Sequence, residues 1–568
     1  MGGLRQLLRR QFTVFLTLIA MLSISLFPQA KPKRNSPTTM RVATHLVTIS
    51  AVATDKGGNP VTGLRADDFE VLDGGHPQKI SFFSTFTDQP SPAGRPLPPD
   101  TYTNLLTRTR PMPPNITILF FDTLNSRKIS QGWGMEGVRK FLGQIQPRDH
   151  VGIYVLGDDL KVIHDFTHDD SDLVQGLARY NEEHTLKETA AWKSAKDDSE
   201  LARFLAGKDI HNRWENEAEI LPGLERRALL DDNYQISLAA LQIIGRHLAG
   251  VPGRKTLIWI SDRLPSGLLS DDLESYAEAT GRRFGSFSES IRGDIENMVR
   301  LMNQNGVAVY PISAEGLEAE SLGFRGAGAG PGSAIPDMIG EDHGPMLELA
   351  RRTGGRAFYN RNDLQTGMRR ALDDSRFAYS LAYYPDHNNW KGEWRKIQVK
   401  VSRPGVIVLA RGGYFALPDP RPVPPKSRIA FLSQIAASPV ESTELPLIVH
   451  IAPSSSARGP EIGVIVHMNP RAMLTNQSNR HWKGNFEVMF MQLDANNKLL
   501  DATQKDVDAD LDPKKYATVA RKGWDLRTNL KFISGATLLC VILHDKSSDA
   551  TGSVRIPLAP YSTALAAH

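Results

Sequence analysis

Between Ile116 and Phe121 the chain runs through six strand-forming positions, almost all apolar, and stops at Asp122. A short run of this kind, bounded by polar residues, is the pattern of a strand buried on both faces. Comparable runs occur at Val151 to Leu156, Lys161 to Phe166, Thr256 to Ser261, Val307 to Ile312 and Arg356 to Asn360. Between them lie "GMEGVRKFLGQI", "NYQISLAALQIIGRHLAG", "SIRGDIENMVRLMNQNG" and "GPMLELARRTGG", whose apolar residues recur at three and four and predict helices. The last ends on basic residues followed by glycine, as a helix C-terminus should. Alternating strand and helix predicts a doubly wound, mostly parallel sheet covered on both faces, whose ligand site lies at the C-terminal ends of the strands. Asp122 and Asp262 both fall at such ends, and Thr123, Asn125 and Ser126 follow Asp122 directly.

The flanks have a different period. Val47, Ile49, Ala51 and Ala53 share one face by alternation, and "FEVLDGGHPQKISFF" reads as a hairpin turned on two glycines, so residues 41–86 predict a small β-module. Residues 87–115 are proline-rich and predict an extended linker. A charged stretch at about 184–223 predicts a helical insertion beside the sheet. The glycines of "GFRGAGAGPGSAIP" lack phosphate-loop spacing and run into proline, which predicts a loop. After "DLQTGMRRALDDSR" three short antiparallel strands, "FAYSLAYYP", "WRKIQVKVSR" and "VIVLARGGYF", are expected to attach to the main domain and close it at residue 416. "ALPDPRPVPP" marks a boundary, and 427–560 contain only strand-like pieces separated by turns, the signature of a C-terminal β-sandwich.

Composition narrows the class more than the chemistry. At 568 residues several cores are expected rather than one. The formal charge of +4 is spread without a basic stripe, and no zinc-finger, RRM or helix-turn-helix pattern appears, so nucleic acid is not an expected partner. Arg5, Arg9 and Arg10 precede the apolar run from Phe12 to Phe27, so residues 1–30 predict an export signal peptide. Pro28 departs from a small-x-small cleavage site, which keeps an uncleaved N-terminal anchor as the alternative and the only expected membrane contact. Either way the remainder is expected outside the cytoplasm, whether periplasmic, envelope-associated or secreted. The single cysteine, Cys540, sits in "ATLLCVIL" and reads as a core residue; one cysteine forbids an intrachain disulfide.

The ordered phrases "ILFFDTLNS", "FTHDDSDL", "LAGVPGRKTLIWIS", "VAVYPISAEGL", "LARRTGGRAFYN" and "VSRPGVIVLARGGYF", with "DKGGNPVTGLRADDFEVLDGG" before them, resemble the acidobacterial VWFA-related domain family, a branch of von Willebrand factor A-like proteins. The resemblance spans roughly Arg41 to Ala416. It implies an A-type domain over residues 116–416, with five parallel strands, one antiparallel edge strand and helices on both faces. It further implies a metal-dependent adhesion site of the form Asp-x-Ser-x-Ser, with a threonine from a later loop and an aspartate after the fourth strand. Asp122 matches the first position, Ser126 the third and Asp262 the second carboxylate. Leu124 stands where the middle serine belongs. No threonine precedes "NYQISLAALQII", where "LERRALLDD" presents Arg226 and Arg227 instead. Such sites hold Mg²⁺ or Mn²⁺ through hard oxygen ligands. Asp122, Ser126 and Asp262 therefore predict a degenerate site and no resident cofactor, with Mg²⁺ or Mn²⁺ the ion to test.

The expected function is a noncatalytic, exported protein-interaction module, an adhesion or envelope scaffold with a protein or peptide partner. One alternative is an extracytoplasmic hydrolase whose site assembles in space. H-E-x-x-H and G-x-S-x-G are absent, and His164 and His343 lack a nearby nucleophile in sequence. The other is carbohydrate binding by the C-terminal sandwich through Trp482 and Trp524. "DANNKLLDATQKDVD" lacks the glycine and terminal glutamate of an EF-hand loop and reads as a turn between strands.

Overall fold

The computed structural model describes residues 46–86, 96–109, 115–126, 128–157, 159–167, 169–181, 223–262, 286–314, 344–387, 389–416, 425–456, 459–474, 477–478 and 480–561. The expected leader, the insertion before residue 223 and the glycine-rich segment after residue 322 lie outside the described residues. Among the described residues no helix is long and apolar enough to cross a membrane.

The chain begins a sandwich that it finishes more than three hundred residues later. Strand β1 (Val47–Thr54) is followed by β2 (Phe69–Asp73), β3 (His76–Gln78) and β4 (Ile80–Phe86). The β2–β3 hairpin turns on Gly74 and Gly75 at φ 57° and 89°, a left-handed pair that L side chains adopt only with strain. The linker then contributes β5 (Thr101–Thr103).

Next comes the α/β domain: β6 (Ile116–Asp122), β7 (Val151–Leu156), β8 (Leu160–Thr167), β9 (Lys255–Ser261) and β10 (Val307–Ser313), in the spatial order β10-β9-β6-β7-β8. Neighbours pair in parallel except β8, which runs antiparallel to β7 at the edge. Every residue of β6, β7, β9 and β10 is buried, as expected of strands covered on both faces. The sixth expected strand, "RAFYN", is reduced to one parallel bridge from Phe358 to Ile312. The helix Lys128–Leu142 packs closely because Gly134 faces the sheet and Gly137 faces the helix Leu364–Ser375; an added Cβ would meet Phe121 and Leu364 respectively, each at 2.9 Å.

The strands after the α/β domain are β11 (Ala378–Tyr383), β12 (Glu393–Val401), β13 (Ile407–Leu409) and β14 (Gly413–Ala416). The sequence attached them to the main domain, but they do not join its sheet. They complete the first sandwich in two four-stranded sheets, β13-β1-β11-β4 and β14-β12-β2-β3, around Ile49, Val71, Tyr379, Leu381 and Tyr383. The physical reason is that β1 and β2 need partners at both edges, and the few strands of residues 46–86 alone cannot enclose a core. The α/β domain is an insertion in this sandwich, and its entrance and exit are neighbours, since Phe86 pairs with Ala378.

The C-terminal part holds β15 (Leu447–Ser456), β16 (Gly459–Met468), β17 (Gln477–Ser478), β18 (His481–Leu493), β19 (Leu499–Leu511), β20 (Trp524–Lys531), β21 (Leu538–Asp545) and β22 (Thr551–Pro557). Their two antiparallel sheets enclose one core. Two expectations change. Part of the linker is strand: β5 pairs with β15, and the Tyr102 hydroxyl meets that of Tyr561 at 2.9 Å. The region is also not all strand, because it includes the helices Pro425–Ala437 and Pro513–Lys522. The second is built locally: Asp512 accepts from Lys515 N, Pro513 opens the first turn, and Gly523 ends it at φ 81°.

The helix Gly223–His247 ties the α/β domain to this last sandwich. Thr443 N donates to Arg246 O, Thr443 Oγ1 donates to His247 O at 2.7 Å, and Arg246 pairs with Glu444. The carbonyls at the end of the helix thus find their partners in the neighbouring domain.

Candidate functional site

Asp122 closes the central strand of the α/β sheet and is fully buried. Its Oδ2 accepts from Asn125 Nδ2 at 2.9 Å, from Ser237 Oγ at 2.8 Å and from Trp259 Nε1 at 3.3 Å. Its Oδ1 accepts from the Asn125 backbone N at 3.2 Å. Desolvation pushes this carboxyl above the usual aspartate range, and the Asn125, Ser237 and Trp259 hydrogen bonds pull it back.

The parts come from three elements. Asn125 reaches Asp122 because the loop folds back on its own aspartate. Ser237 projects from the Gly223–His247 helix. Trp259 lies opposite Phe120 in the β6–β9 register, so its indole shares the Asp122 face, and a buried indole N–H requires an acceptor.

The hydroxyl oxygens of Thr123, Ser126 and Ser261 are engaged by the backbone. Ser126 Oγ donates to Asp122 O at 2.7 Å and accepts from Asp262 N at 3.2 Å. Thr123 Oγ1 donates to Leu156 O at 2.6 Å. Gln131 Nε2 donates to the carbonyls of Thr123 and Ser126, and Ser261 Oγ to that of Asn125. Ser126 thus joins the backbones of Asp122 and Asp262. Asn125 turns inward and closes on Asp122.

This donor set does not fit a divalent cation. Around Asp122 the nearest groups are N–H and O–H protons, and an indole or amide N–H offers a cation its positive end. Leu124 supplies no side-chain oxygen, and among the described residues no cluster of three His, Cys, Asp or Glu side chains is placed to hold a metal. The Arg226 and Arg227 side chains, like His343, lie outside the described residues.

Other sequence candidates sit in packing roles. Trp482 lies flat on Tyr516, with centroids 4.2 Å apart and planes 4° from parallel, and Trp524 packs against the sandwich core. Cys540 is buried, which pushes its thiol up to about 12. His164 Nδ1 contacts the Asp165 carbonyl at the sheet edge. Just past the strand-end loop, Trp133 on the Lys128–Leu142 helix is 60% exposed.

The strand order, the single antiparallel edge and the aspartate after the central strand define a von Willebrand factor A-like α/β domain carried within a β-sandwich. No family model matches the chain, and no curated protein matches it. Among solved structures it is similar to an aerotolerance-related membrane protein from Bacteroides fragilis (12% identity, 45% of this chain and 98% of that one, TM-score 0.22). It is similar to the SpRpn10 VWA domain (12%, 45% and 93%, TM-score 0.19) and to the ArnB paralog VWA2 from Sulfolobus acidocaldarius (10%, 61% and 76%, TM-score 0.21). TM-scores this low add no weight, and the class rests on the strand topology.

Proposed function

We propose that this chain is an exported, noncatalytic protein-interaction module, an adhesion or envelope scaffold, whose α/β domain meets its partner without a metal bridge. The observation that carries the reading is the closed network on Asp122. A strand-end carboxylate that would otherwise bind an ion instead fixes the loop, the helix and β9 in one arrangement, leaving the face rigid. Trp133 beside that loop is the contact residue of choice, since a large exposed aromatic on a rigid helix is the commonest kind of interface anchor. Calorimetric titration of Mg²⁺ and Mn²⁺ into the purified chain should give no saturable heat. A photocrosslinker at Trp133, introduced in the producing cells, should yield a discrete protein adduct that the same group at Lys505 does not. Saturable Mn²⁺ binding would reject the metal-free reading, and indistinguishable adduct patterns at the two positions would reject the contact face.

A further inference from the structure

At the end of the α/β sheet remote from Asp122, three cationic side chains are buried side by side. Arg254 precedes β9 and Lys255 opens it, and they are 1% and 4% exposed; Arg411, between β13 and β14, is 9% exposed. Among the described residues none of them has a carboxylate at ion-pair distance. The nearby acids are engaged elsewhere: Asp374 with Arg356 and Arg370, and Asp73 with Arg395. Arg254 reaches Asp374 only through the Tyr310 hydroxyl. Its other contacts are neutral, Ser50 O and Oγ and Gly354 O, and its Nε has no hydrogen-bond partner. Arg411 Nε is equally buried and unpartnered. Lys255 Nζ donates to Val251 O at 2.8 Å.

Arg254 and Arg411 line one small cleft of about 20 Å³, together with Thr48, Ser50, Asn303 and Gly306. A Cβ added at Gly306 would lie 3.7 Å from Lys255 Nζ, which puts the ammonium immediately behind the cleft wall. Buried charges persist in folded proteins when something of opposite sign pairs them. Here no carboxylate pairs the cations directly, Asp73 acting on Arg411 only from a distance, and burial drives Lys255 down to about 7 and Arg411 down to about 10. The size of the cleft restricts the counter-charge: it admits one water-sized species and excludes phosphate or a carboxylate-bearing metabolite.

We propose that this cleft is a monatomic anion site, holding one chloride between the Arg254 and Arg411 guanidinium groups. The ion would join three segments, β1 through Thr48 and Ser50, the β13–β14 connection through Arg411, and the α/β domain through Arg254 and Asn303. It would thereby staple the inserted domain to its host sandwich.

Two measurements on the full chain test the assignment. Crystals grown in sodium bromide should show an anomalous bromine peak in contact with both guanidinium groups. Thermal unfolding at matched ionic strength should show a saturable rise in Tm of about 2–4 °C in chloride or bromide over gluconate. The dependence should disappear in Arg411→Met and, if that variant does not fold, in Thr48→Leu, which narrows the cleft and keeps all three cations. A water in the cleft with no bromine signal, or the same Tm in chloride and gluconate, overturns the proposal.

Discussion

Asp122 is worth more to the fold in its network than any single bond suggests, because on its removal four buried donors lose their acceptor. Asp122→Ala should therefore destabilise the chain by about 3–5 kcal/mol, measured by urea unfolding. Trp259→Phe keeps the ring and deletes one donor, and should cost only about 1–2 kcal/mol. Glu441, under the Gly223–His247 helix end, behaves oppositely. Burial raises its carboxyl from 4.5 to about 7, ahead of the opposing Arg555 interactions. The folded state thus keeps a proton that the unfolded chain releases, so stability falls as pH rises from about 4.5 to about 7 and is flat above. Glu441→Gln should raise stability at pH 8 by on the order of 2–3 kcal/mol and change little at pH 4, read as Tm against pH. The two aspartates at the strand ends were legible as residues, since each follows an unbroken apolar run. Their partners were not: Ser237 lies 112 residues from Asn125, and Trp259 lies 137 residues from Asp122.

For the elements, the Lys128–Leu142 helix sets two effects against each other. Alanine in place of Gly137 gains about 1 kcal/mol of helix propensity. It also places a Cβ 2.9 Å from the Leu364 Cβ, an atom held by backbone that cannot swing aside, at a cost of about 1–3 kcal/mol. Overpacking should win, and Gly137→Ala should lower Tm while Gly132→Ala, which meets nothing, should raise it. The Pro513–Lys522 helix could have been read from Asp512-Pro513 and Gly523, a start and a stop ten residues apart; the strand-like stretches on either side masked it. "RAFYN" illustrates the reverse: its composition suits a strand, but only Phe358 reaches the β10 edge, and pairing is decided by the neighbour.

At the scale of the whole molecule, the first sandwich is a long-range object, closed by β11 to β14 only after the α/β domain has been made. A fragment ending at residue 114 should show no cooperative unfolding by circular dichroism, whereas one ending at residue 416 should. The doubly wound sheet, the C-terminal core and the strand-end position of Asp122 were determined by the sequence alone, because they arise from local apolar periodicity and from the direction in which a buried strand delivers its last residue. The sharing of the host sandwich between two distant segments, the capture of Thr101–Thr103 by β15, the neutral cradle around Asp122 and the pooling of Arg254, Lys255 and Arg411 were decided only by the tertiary structure. Each depends on groups far apart in the chain, and their pairing is set by which edges and buried donors remain unsatisfied once the local elements have formed.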